Sequence, residues 1–551
     1  MDIFDILLLI GGLALFLYGM TEMGNGLEKV SGSKLKSILE KLTSSKTKGV
    51  LLGAGVTAFI QSSSATAVMV VGLVNSSIMT LSQAIPVVMG ANVGTTITSW
   101  LLSLTGIQSD NIIVNLFKPS SFAPILAVVG YGFIMFSDNE KRKDTGKVFL
   151  GFTVLMFGMN LMSNAVAPLA DVAEFRSILI TFSNPILGVI AGAFVTAMLQ
   201  SSSASIGVLQ ALALTGVMNY SVAIPVIMGQ NIGTCITAFL AGIGANKNAK
   251  RVSVVHLFFN LIGTALFILG FYCINALVKF TFLNEPTSTV GIAVIHTIFN
   301  ITTTLILLPF SEVLKKASVS IIKDDNAEKS SEFQKLDVRL IETPGYALKI
   351  SNDMTQKMLE LARENFMIAT DLIDNYDNKR AREVQKIEEK VDKYEDEIGS
   401  YLLKISMKDL TENDNRLLTL LLHSIGEYER ISDLSVNIME SAKEMNEKNI
   451  CFSKNANSEL EVLIGAVRDI LDMTIDVAAH IDVTKAEDIE PLEEVIDFIA
   501  KELNKRHVIR LKNGECTAEL GFVLADITTS LERISDHCSN IAVYVIQLSI
   551  N

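Results

Sequence analysis

The sequence predicts an all-α protein in two parts, a polytopic membrane domain followed by a soluble helical domain. Apolar runs of about 20 residues, the length of helix that spans a bilayer, recur as far as residue 310. The charge changes at the same place: residues 1–310 hold 16 Lys and Arg against 12 Asp and Glu, and the remainder holds 30 against 47. A third observation, an internal duplication, predicts how the membrane domain is built.

The duplication joins two polar motifs inside apolar sequence. The segment 61–65, Gln-Ser-Ser-Ser-Ala, recurs at 200–204, and 86–95, Pro-Val-x-Met-Gly-x-Asn-x-Gly-Thr, recurs at 225–234, both with an offset of 139 residues. Polar groups at membrane depth cost free energy unless they have partners or line a cavity. Such a repeat is typical of transporters whose site lies between two halves.

Charge in the loops predicts that the two copies are inverted. Basic residues cluster within 29–48, 141–147 and 247–251, which places these loops in the cytoplasm by the positive-inside rule. The connections near 106–120, 171–184 and 281–289 carry few basic residues and would lie outside. The crossings between these loops imply re-entrant hairpins at about 50–76 and 187–216, with the serine runs at their breaks.

These patterns set the predicted domain bounds. The transmembrane domain covers 1–311, with repeat one at about 5–137, repeat two at about 147–280 and an extra helix at 289–310. A linker at 312–345 and a cytoplasmic domain at 346–551 follow. The start lacks the basic region of a cleaved signal, so we interpret the first apolar run as a retained membrane helix. We expect a multi-pass protein of the plasma membrane.

Other features restrict the function. Five scattered cysteines form no CxxC pair and favour a reducing compartment for the second part. The chain is not basic or aromatic enough for a nucleic-acid partner, and no enzyme is predicted. A homodimer and a regulatory protein partner of the cytoplasmic domain are left open.

The duplicated motifs have the chemistry of an ion site. Short helices that begin within the membrane expose N–H groups at the positive end of the helix dipole, and serine hydroxyls add donors, so they suit a tetrahedral oxyanion. The spans contain no obvious Arg or Lys, so co-bound Na⁺ would supply the compensating charge. The hard oxygen ligands available for it are Gln61, Gln200, Asn92, Asn231, Thr95, Thr234, Ser64 and Ser203.

Close helix packing is the alternative use of these small residues. The gapless repetition of both motifs favours the ion site. His256 with Asn260 and His296 with Asn300 share an i, i+4 spacing, which indicates inter-helix hydrogen-bond pairs first and proton or substrate groups second.

These paired motifs resemble the type II sodium/phosphate cotransporter family over roughly residues 5–310. The resemblance implies Na⁺-driven movement of inorganic phosphate. It places phosphate at Ser62, Ser63, Ser64, Ser201, Ser202 and Ser203. It places Na⁺ or the site wall at Gln61, Gln200, Asn92, Asn231, Thr95 and Thr234, to which we add Thr66 and Ser205. Copy two has Ser205-Ile206 where copy one has Thr66-Ala67, so the half that holds more of the sodium shell stays open.

The second part has its own repeat. Glu429-Arg-Ile-Ser-Asp433 recurs as Glu532-Arg-Ile-Ser-Asp536, and apolar residues of period 3.6 around them predict two three-helix bundles. Carboxylates at i, i+4 repel when unpaired, so each face needs either arginines or a metal. We favour salt-bridged packing over a metal site at Glu429, Asp433, Glu532 and Asp536.

This pattern is similar to PhoU-like domains over about residues 346–548. That family's faces can bind divalent or trivalent metals, and its members regulate phosphate transport. The sequence therefore predicts a sodium-coupled phosphate symporter working by alternating access, with a PhoU-like regulatory module. The alternatives are a membrane-anchored phosphate sensor and a transporter of another anion, such as sulfate or a dicarboxylate. Stoichiometry, net direction, oligomeric state and the metal, if any, are not predicted.

Overall fold

The structure is a computed structural model that describes residues 3–40, 45–106, 119–323 and 332–550. These residues are helical and form no β-strand beyond one isolated bridge between Asn219 and Pro286. The chain divides into two compact units, Met1–Glu342 and Thr343–Asn551. The predicted outer connection at 106–120 and residues 324–331 of the predicted linker lie almost wholly outside the described residues.

The first unit contains fourteen described α-helices. They are α1 (Ile3–Glu40), α2 (Lys46–Ile60), α3 (Ser63–Asn75), α4 (Leu81–Ser103), α5 (Pro119–Phe136), α6 (Glu140–Val166), α7 (Ala173–Thr181), α8 (Pro185–Leu199), α9 (Ser202–Ala213), α10 (Tyr220–Gly233), α11 (Cys235–Gly242), α12 (Lys247–Val278), α13 (Thr289–Leu307) and α14 (Ser311–Ile321).

Six helical segments of the described chain are long and apolar enough to cross a membrane. They are Ile3–Val30, Leu81–Gly106, Glu140–Ala170, Tyr220–Gly242, Lys247–Val278 and Thr289–Leu307. A seventh candidate is the pair α7 and α8, which is bent by 102°. The span predicted at 121–137 coincides with a shorter apolar helix, Ser121–Phe136. Large apolar side chains such as Val128, Met198 and Leu277 point outward, as a lipid-facing surface requires.

The two copies have the same local fold. The offset of 139 residues maps α2 onto α8, α3 onto α9, and α4 onto α10 with α11. In copy one α2 packs closely on α4, and in copy two α8 packs closely on α10. A Cβ at Gly53 would overlap the Val87 carbonyl oxygen, and one at Gly192 would overlap that of Val226. The duplicated glycines therefore set two equivalent close crossings.

The segment predicted as a linker is partly structured within the first unit. Residues 311–321 form α14, whose Lys315 Nζ donates to Ser82 Oγ at 2.7 Å. Arg251 donates to the Ile322 carbonyl from Nε at 3.0 Å and Nη2 at 2.6 Å. The first unit accordingly extends to Glu342, beyond the predicted bound at 311, because polar side chains of the membrane domain bind this segment.

The second unit is built of long helices. They are α15 (Pro344–Asp374), α16 (Asn378–Ser406), α17 (Glu412–Lys448), α18 (Lys454–His480), the short α19 (Val483–Ala486), α20 (Ile489–Lys512) and α21 (Ala518–Ile550). Helices α15–α17 pack together, as do α18, α20 and α21, and α17 packs on α21. This all-α arrangement of two three-helix groups is the fold that the sequence predicts.

Candidate functional site: the junction of the two serine motifs

The helix pairs predicted as hairpins one and two, α2–α3 and α8–α9, each break at the glutamine of the motif. Gln61 and Gln200 adopt left-handed backbone conformations, with φ of 57° and 53°, which stop α2 and α8. The next residue caps the following helix: Ser62 Oγ accepts from Ala65 N at 3.1 Å, and Ser201 Oγ accepts from Ala204 N at 3.2 Å. The polar motif therefore ends one helix and starts the next in both copies.

The second serines of the two motifs meet. Ser63 and Ser202 are the first residues of α3 and α9, and their Oγ atoms lie 3.3 Å apart. Both are nearly buried, with 4% and 3% of their surface exposed. Ser64 Oγ donates to the Gln200 carbonyl at 3.3 Å, and Ser203 is also buried. Two helix N-termini thus converge on one place, where their dipoles favour negative charge.

The two glutamines differ in their surroundings. Gln61 is buried, where its Nε2 donates to the Ala58 carbonyl at 2.6 Å and its Oε1 accepts from Thr98 Oγ1 at 3.0 Å. Gln200 is exposed. The side chain of Gln61 therefore braces the break in copy one, and Gln200 leaves its amide open to the surroundings.

The asparagines of the second motif hold neighbouring helices. Asn92 Nδ2 donates to Asn260 Oδ1 at 2.8 Å, and Asn231 Nδ2 donates to Asn300 Oδ1 at 3.4 Å. The predicted inter-helix role thus applies to Asn260 and Asn300. The rings of the accompanying His256 and His296 are buried, and neither has a hydrogen-bond partner among the described residues.

The threonines of the second motif bond within their own helices. Thr95 Oγ1 donates to the Ala91 carbonyl at 3.1 Å and Thr234 Oγ1 to the Gln230 carbonyl at 3.0 Å. This back-bonding to residue i−4 satisfies the hydroxyl hydrogen and leaves the oxygen lone pairs as acceptors.

A difference between the copies lies just behind the serines. In copy one, Thr57 Oγ1 donates to Thr66 Oγ1 at 3.0 Å. The equivalent positions in copy two are Thr196 and Ser205, and neither buried hydroxyl has a hydrogen-bond partner within the described chain. The Oε1 atom of Gln230, on the helix that packs against α8, is likewise buried and without a described partner.

Sequence reasoning missed Thr196 and Gln230. Thr196 repeats Thr57 at the offset of 139, but this pairing alone does not reveal which copy is hydrogen-bonded. Gln230 carries a usable signal, since it replaces Ala91 inside an otherwise repeated motif. A polar residue that breaks a repeat in apolar sequence calls for a partner or a ligand.

In the second unit, carboxylates gather around the repeated Glu-Arg-Ile-Ser-Asp motifs. Burial and the charge of Asp433 raise the pKa of Glu429 to about 7, and Glu395 and Asp392 add to this effect. Ligand oxygens of Glu493, Asp497 and Asp536 lie within 4.8 Å of one another.

The carboxylates around Glu493 raise one another's pKa, as like charges in a partly buried cluster do. Burial and the neighbouring Asp497 and Asp536 raise the pKa of Glu493 to about 7. Burial and Asp497 also raise the pKa of Glu532. Lys501 pairs with Asp497 at 2.7 Å, so salt bridging accounts for part of this cluster only. The donor set fits a hard divalent or trivalent cation.

Together, the apolar helices and the converging serines define a multi-pass membrane protein in which two helix N-termini meet between duplicated halves. Residues 15–164 and 154–285 match the family described as Na+/Pi-cotransporter, and residues 355–442 and 460–545 match the PhoU domain. The chain belongs to the Na⁺/Pi-cotransporter family and carries a C-terminal PhoU domain.

Named relatives agree with this placement. The chain is 25% identical over 509 residues to the "Putative inorganic phosphate export protein YjbB" of Escherichia coli K12, covering 91% of this chain and 90% of that one. It is 30% identical over 299 residues to the "Uncharacterized protein YqeW" of Bacillus subtilis, covering 54% and 92%. With the human "Sodium-dependent phosphate transport protein 2B" it shares 34% over 101 residues, which is 18% of this chain and 15% of that one. These relationships support phosphate transport.

Proposed function

We propose that this protein is a sodium-coupled symporter of inorganic phosphate that works by alternating access. The observation that carries the proposal is the contact of Ser63 with Ser202, because it brings two helix N-termini and their hydroxyls to one nearly buried place. A tetrahedral dianion needs several convergent donors when water is excluded. The phosphate would lie between the serine runs 62–64 and 201–203.

Sodium is the coupling ion in this proposal. The family's description supports it, and the described spans offer oxygen ligands rather than cationic side chains at the serine junction. We place the principal sodium site in copy two, where Thr196, Ser205 and Gln230 present buried oxygens without described partners. Of the predicted ligands, Ser205 belongs to this set, while Thr66 is engaged by Thr57 in copy one.

The remaining predicted sodium residues act as the wall of the site. Asn92 and Asn231 are each bonded to an asparagine of another helix, and Gln61 is bonded to Thr98. Thr95 and Thr234 donate within their own helices and keep acceptor lone pairs, and Gln200 remains exposed. These contacts fix the shape of the junction, so substitutions there would change affinity through geometry.

The PhoU-like unit supplies regulation in this proposal. Its carboxylate clusters would hold a metal at Glu429 and Asp433 with Asp392 and Glu395, and at Glu532 and Asp536 with Glu493 and Asp497. The chain would place this unit in the cytoplasm of a plasma-membrane protein, as the basic loops indicate.

The test is labelled-phosphate flux in proteoliposomes that contain the full chain. We expect uptake to follow an imposed Na⁺ gradient and to stop when K⁺ replaces Na⁺. Flux without Na⁺ dependence would refute the coupling, and binding without flux would favour a phosphate sensor. Competition by sulfate or a dicarboxylate stronger than that by phosphate would reassign the solute.

A matched pair of variants tests the sodium placement. Thr196→Val keeps the side-chain shape and removes a hydroxyl from the proposed site, whereas Thr57→Val makes the same change in copy one. We expect only Thr196→Val to raise the Na⁺ concentration that gives half-maximal flux, by about tenfold for a loss of ~1.4 kcal/mol. Equal effects of the two variants would show that the copies share the sodium site.

A further inference from the structure

A short segment just before the second unit binds the end of hairpin one. We call residues 337–342 the strap; within it, Val338–Glu342 form a 3₁₀-helix. Leu340 and Ile341 are buried, with 0% and 3% of their surface exposed. Nothing in the polar composition of the predicted linker indicates such burial.

The strap holds Asn75, the last residue of α3. The Asp337 carboxylate accepts a hydrogen bond from Asn75 Nδ2. The other groups of Asn75 are bound by Asn246: its Oδ1 accepts from Asn246 N at 2.7 Å, and its carbonyl accepts from Asn246 Nδ2 at 2.8 Å. Since Asn246 also caps α12, Asn75 joins hairpin one to the strap and to the connection between α11 and α12 in repeat two.

Arg339 ties the strap to repeat two. Its Nη1 lies 2.9 Å from Asp337 Oδ2, its Nε donates to the Ala241 carbonyl at 2.6 Å, and its Nη2 donates to the Ile243 carbonyl at 3.1 Å. These carbonyls end α11, where the helix dipole favours a cation. One guanidinium thus binds a carboxylate that holds hairpin one and a helix end that belongs to the other copy.

The contact is specific to one copy of the repeat. A Cβ at Gly72 would lie 3.0 Å from Leu340 Cδ2 and 3.1 Å from Arg339 Cβ, closer than ordinary contact. At the offset of 139, Gly72 and Asn75 correspond to Ala211 and Leu214. The strap therefore fits the arm of hairpin one and would not fit the equivalent arm of hairpin two.

We propose that the strap is a releasable restraint through which the PhoU-like unit controls hairpin one. Its last residue, Glu342, is bonded directly to Thr343, the first residue of the second unit. A conformational change there pulls on a segment that locks the end of hairpin one to repeat two. Because alternating access requires the halves to move relative to each other, the docked strap slows transport and its release speeds it. The inference rests on the proposed transport function.

The experiment uses the full chain in proteoliposomes with two readouts, hydrogen–deuterium exchange and phosphate flux. Asp337→Asn and Arg339→Gln weaken the strap, and Asn75→Leu places there the residue that repeat two carries at Leu214. Val338→Ala is the matched control, since this side chain of the strap is 57% exposed. We expect faster exchange at residues 72–76 and 239–246 and faster flux in the three variants, by roughly 5- to 150-fold, and no change in the control.

Exchange decides whether the strap docks on hairpin one, and flux decides whether the docked strap restrains transport. Unchanged exchange in Asn75→Leu and Asp337→Asn would overturn the docking, and faster exchange with unchanged or slower flux would overturn the restraint. The exchange readout needs no sodium gradient, so it separates this inference from the proposed function. Flux without Na⁺ dependence refutes sodium coupling and leaves the exchange result standing. Absence of phosphate flux from the wild type and all variants would overturn the restraint together with the proposed function, while the exchange result would still decide the docking.

Discussion

Removing the hydroxyl of Ser63 or Ser202 tests whether one anion is shared by both halves. The two Oγ atoms are 3.3 Å apart, beyond the range of about 2.5–3.0 Å usual for a hydroxyl–hydroxyl bond, so each hydroxyl can turn toward a phosphate at little cost. A hydrogen bond to a charged acceptor is worth about 1.5–3 kcal/mol. We therefore expect Ser63→Ala and Ser202→Ala each to raise the KM for phosphate about 10- to 150-fold.

The double variant makes the test specific for a shared ligand. If both hydroxyls bind one phosphate, the anion shifts after the first loss, and the second loss then costs less. We expect the effect of Ser63→Ala/Ser202→Ala to differ from the sum of the single effects by about 0.5–3 kcal/mol. Independent sites would give additive effects.

The assay is initial-rate flux of labelled phosphate at saturating Na⁺ in proteoliposomes. Ser253→Ala is the control, because Ser253 is a buried serine of the same unit whose hydroxyl donates to the Ala238 carbonyl. We expect its KM for phosphate to match that of the wild type. A wild-type KM in both Ser63→Ala and Ser202→Ala, or strict additivity in the double variant, would refute the shared junction.

Further predictions concern the sodium site, the helix crossings and the carboxylate clusters. Ser205→Thr introduces the residue that copy one carries at Thr66, so the new hydroxyl should pair with Thr196 as Thr66 pairs with Thr57. A titration of flux with Na⁺ should then show a weaker apparent affinity for Na⁺. Gly53→Ala would push a methyl group into the Val87 carbonyl, so size-exclusion chromatography in detergent should show a loss of folded protein. The control Gly55→Ala, at a position with open space around it, should leave the amount of folded protein unchanged. In the second unit, the folded state binds more protons than the unfolded state between pH 4.5 and about 7, since the pKa of Glu429 is raised to about 7 from 4.5. The melting temperature of this unit without metal should therefore fall as pH rises from about 5 to about 8, and Mn²⁺ should restore it at the upper end; a flat profile would contradict this account.

The sequence was sufficient to predict the helical fold and the residues of the junction, because both follow from local patterns. Apolar run length predicts the spans, and the serine motif predicts a break where a left-handed Gln61 stops one helix and Ser62 caps the next. The pairing of Ser63 with Ser202 followed from the duplication. Prediction from pattern is reliable here because each feature is set by neighbours along the chain or by its repeat.

Features that depend on distant contacts were not predictable. The strap connects Asp337 to Asn75 across 262 residues, and its polar sequence resembles an ordinary linker. The carboxylate face gains Glu395 and Asp392 from a neighbouring helix, which the spacing of Glu429 and Asp433 alone could not show. In both cases the decisive partner lies on another element, and no periodicity within one element reveals it.

The differences between the copies separate what is shared from what each half adds. Groups proposed for phosphate occupy equivalent positions, as expected if one anion lies between two similar hairpins. Some of the residues proposed for sodium and for the strap differ between the copies. Ser205 and Gln230 occur only in copy two, behind the serines, and Gly72 and Asn75 occur only in copy one, toward the end of α3. A duplicated protein with identical halves would have no preferred place for a sodium ion or for a control element. In the proposed function, divergence at these four positions supplies that asymmetry, so exchanging them between the copies should move sodium dependence and strap control without disturbing the serine junction.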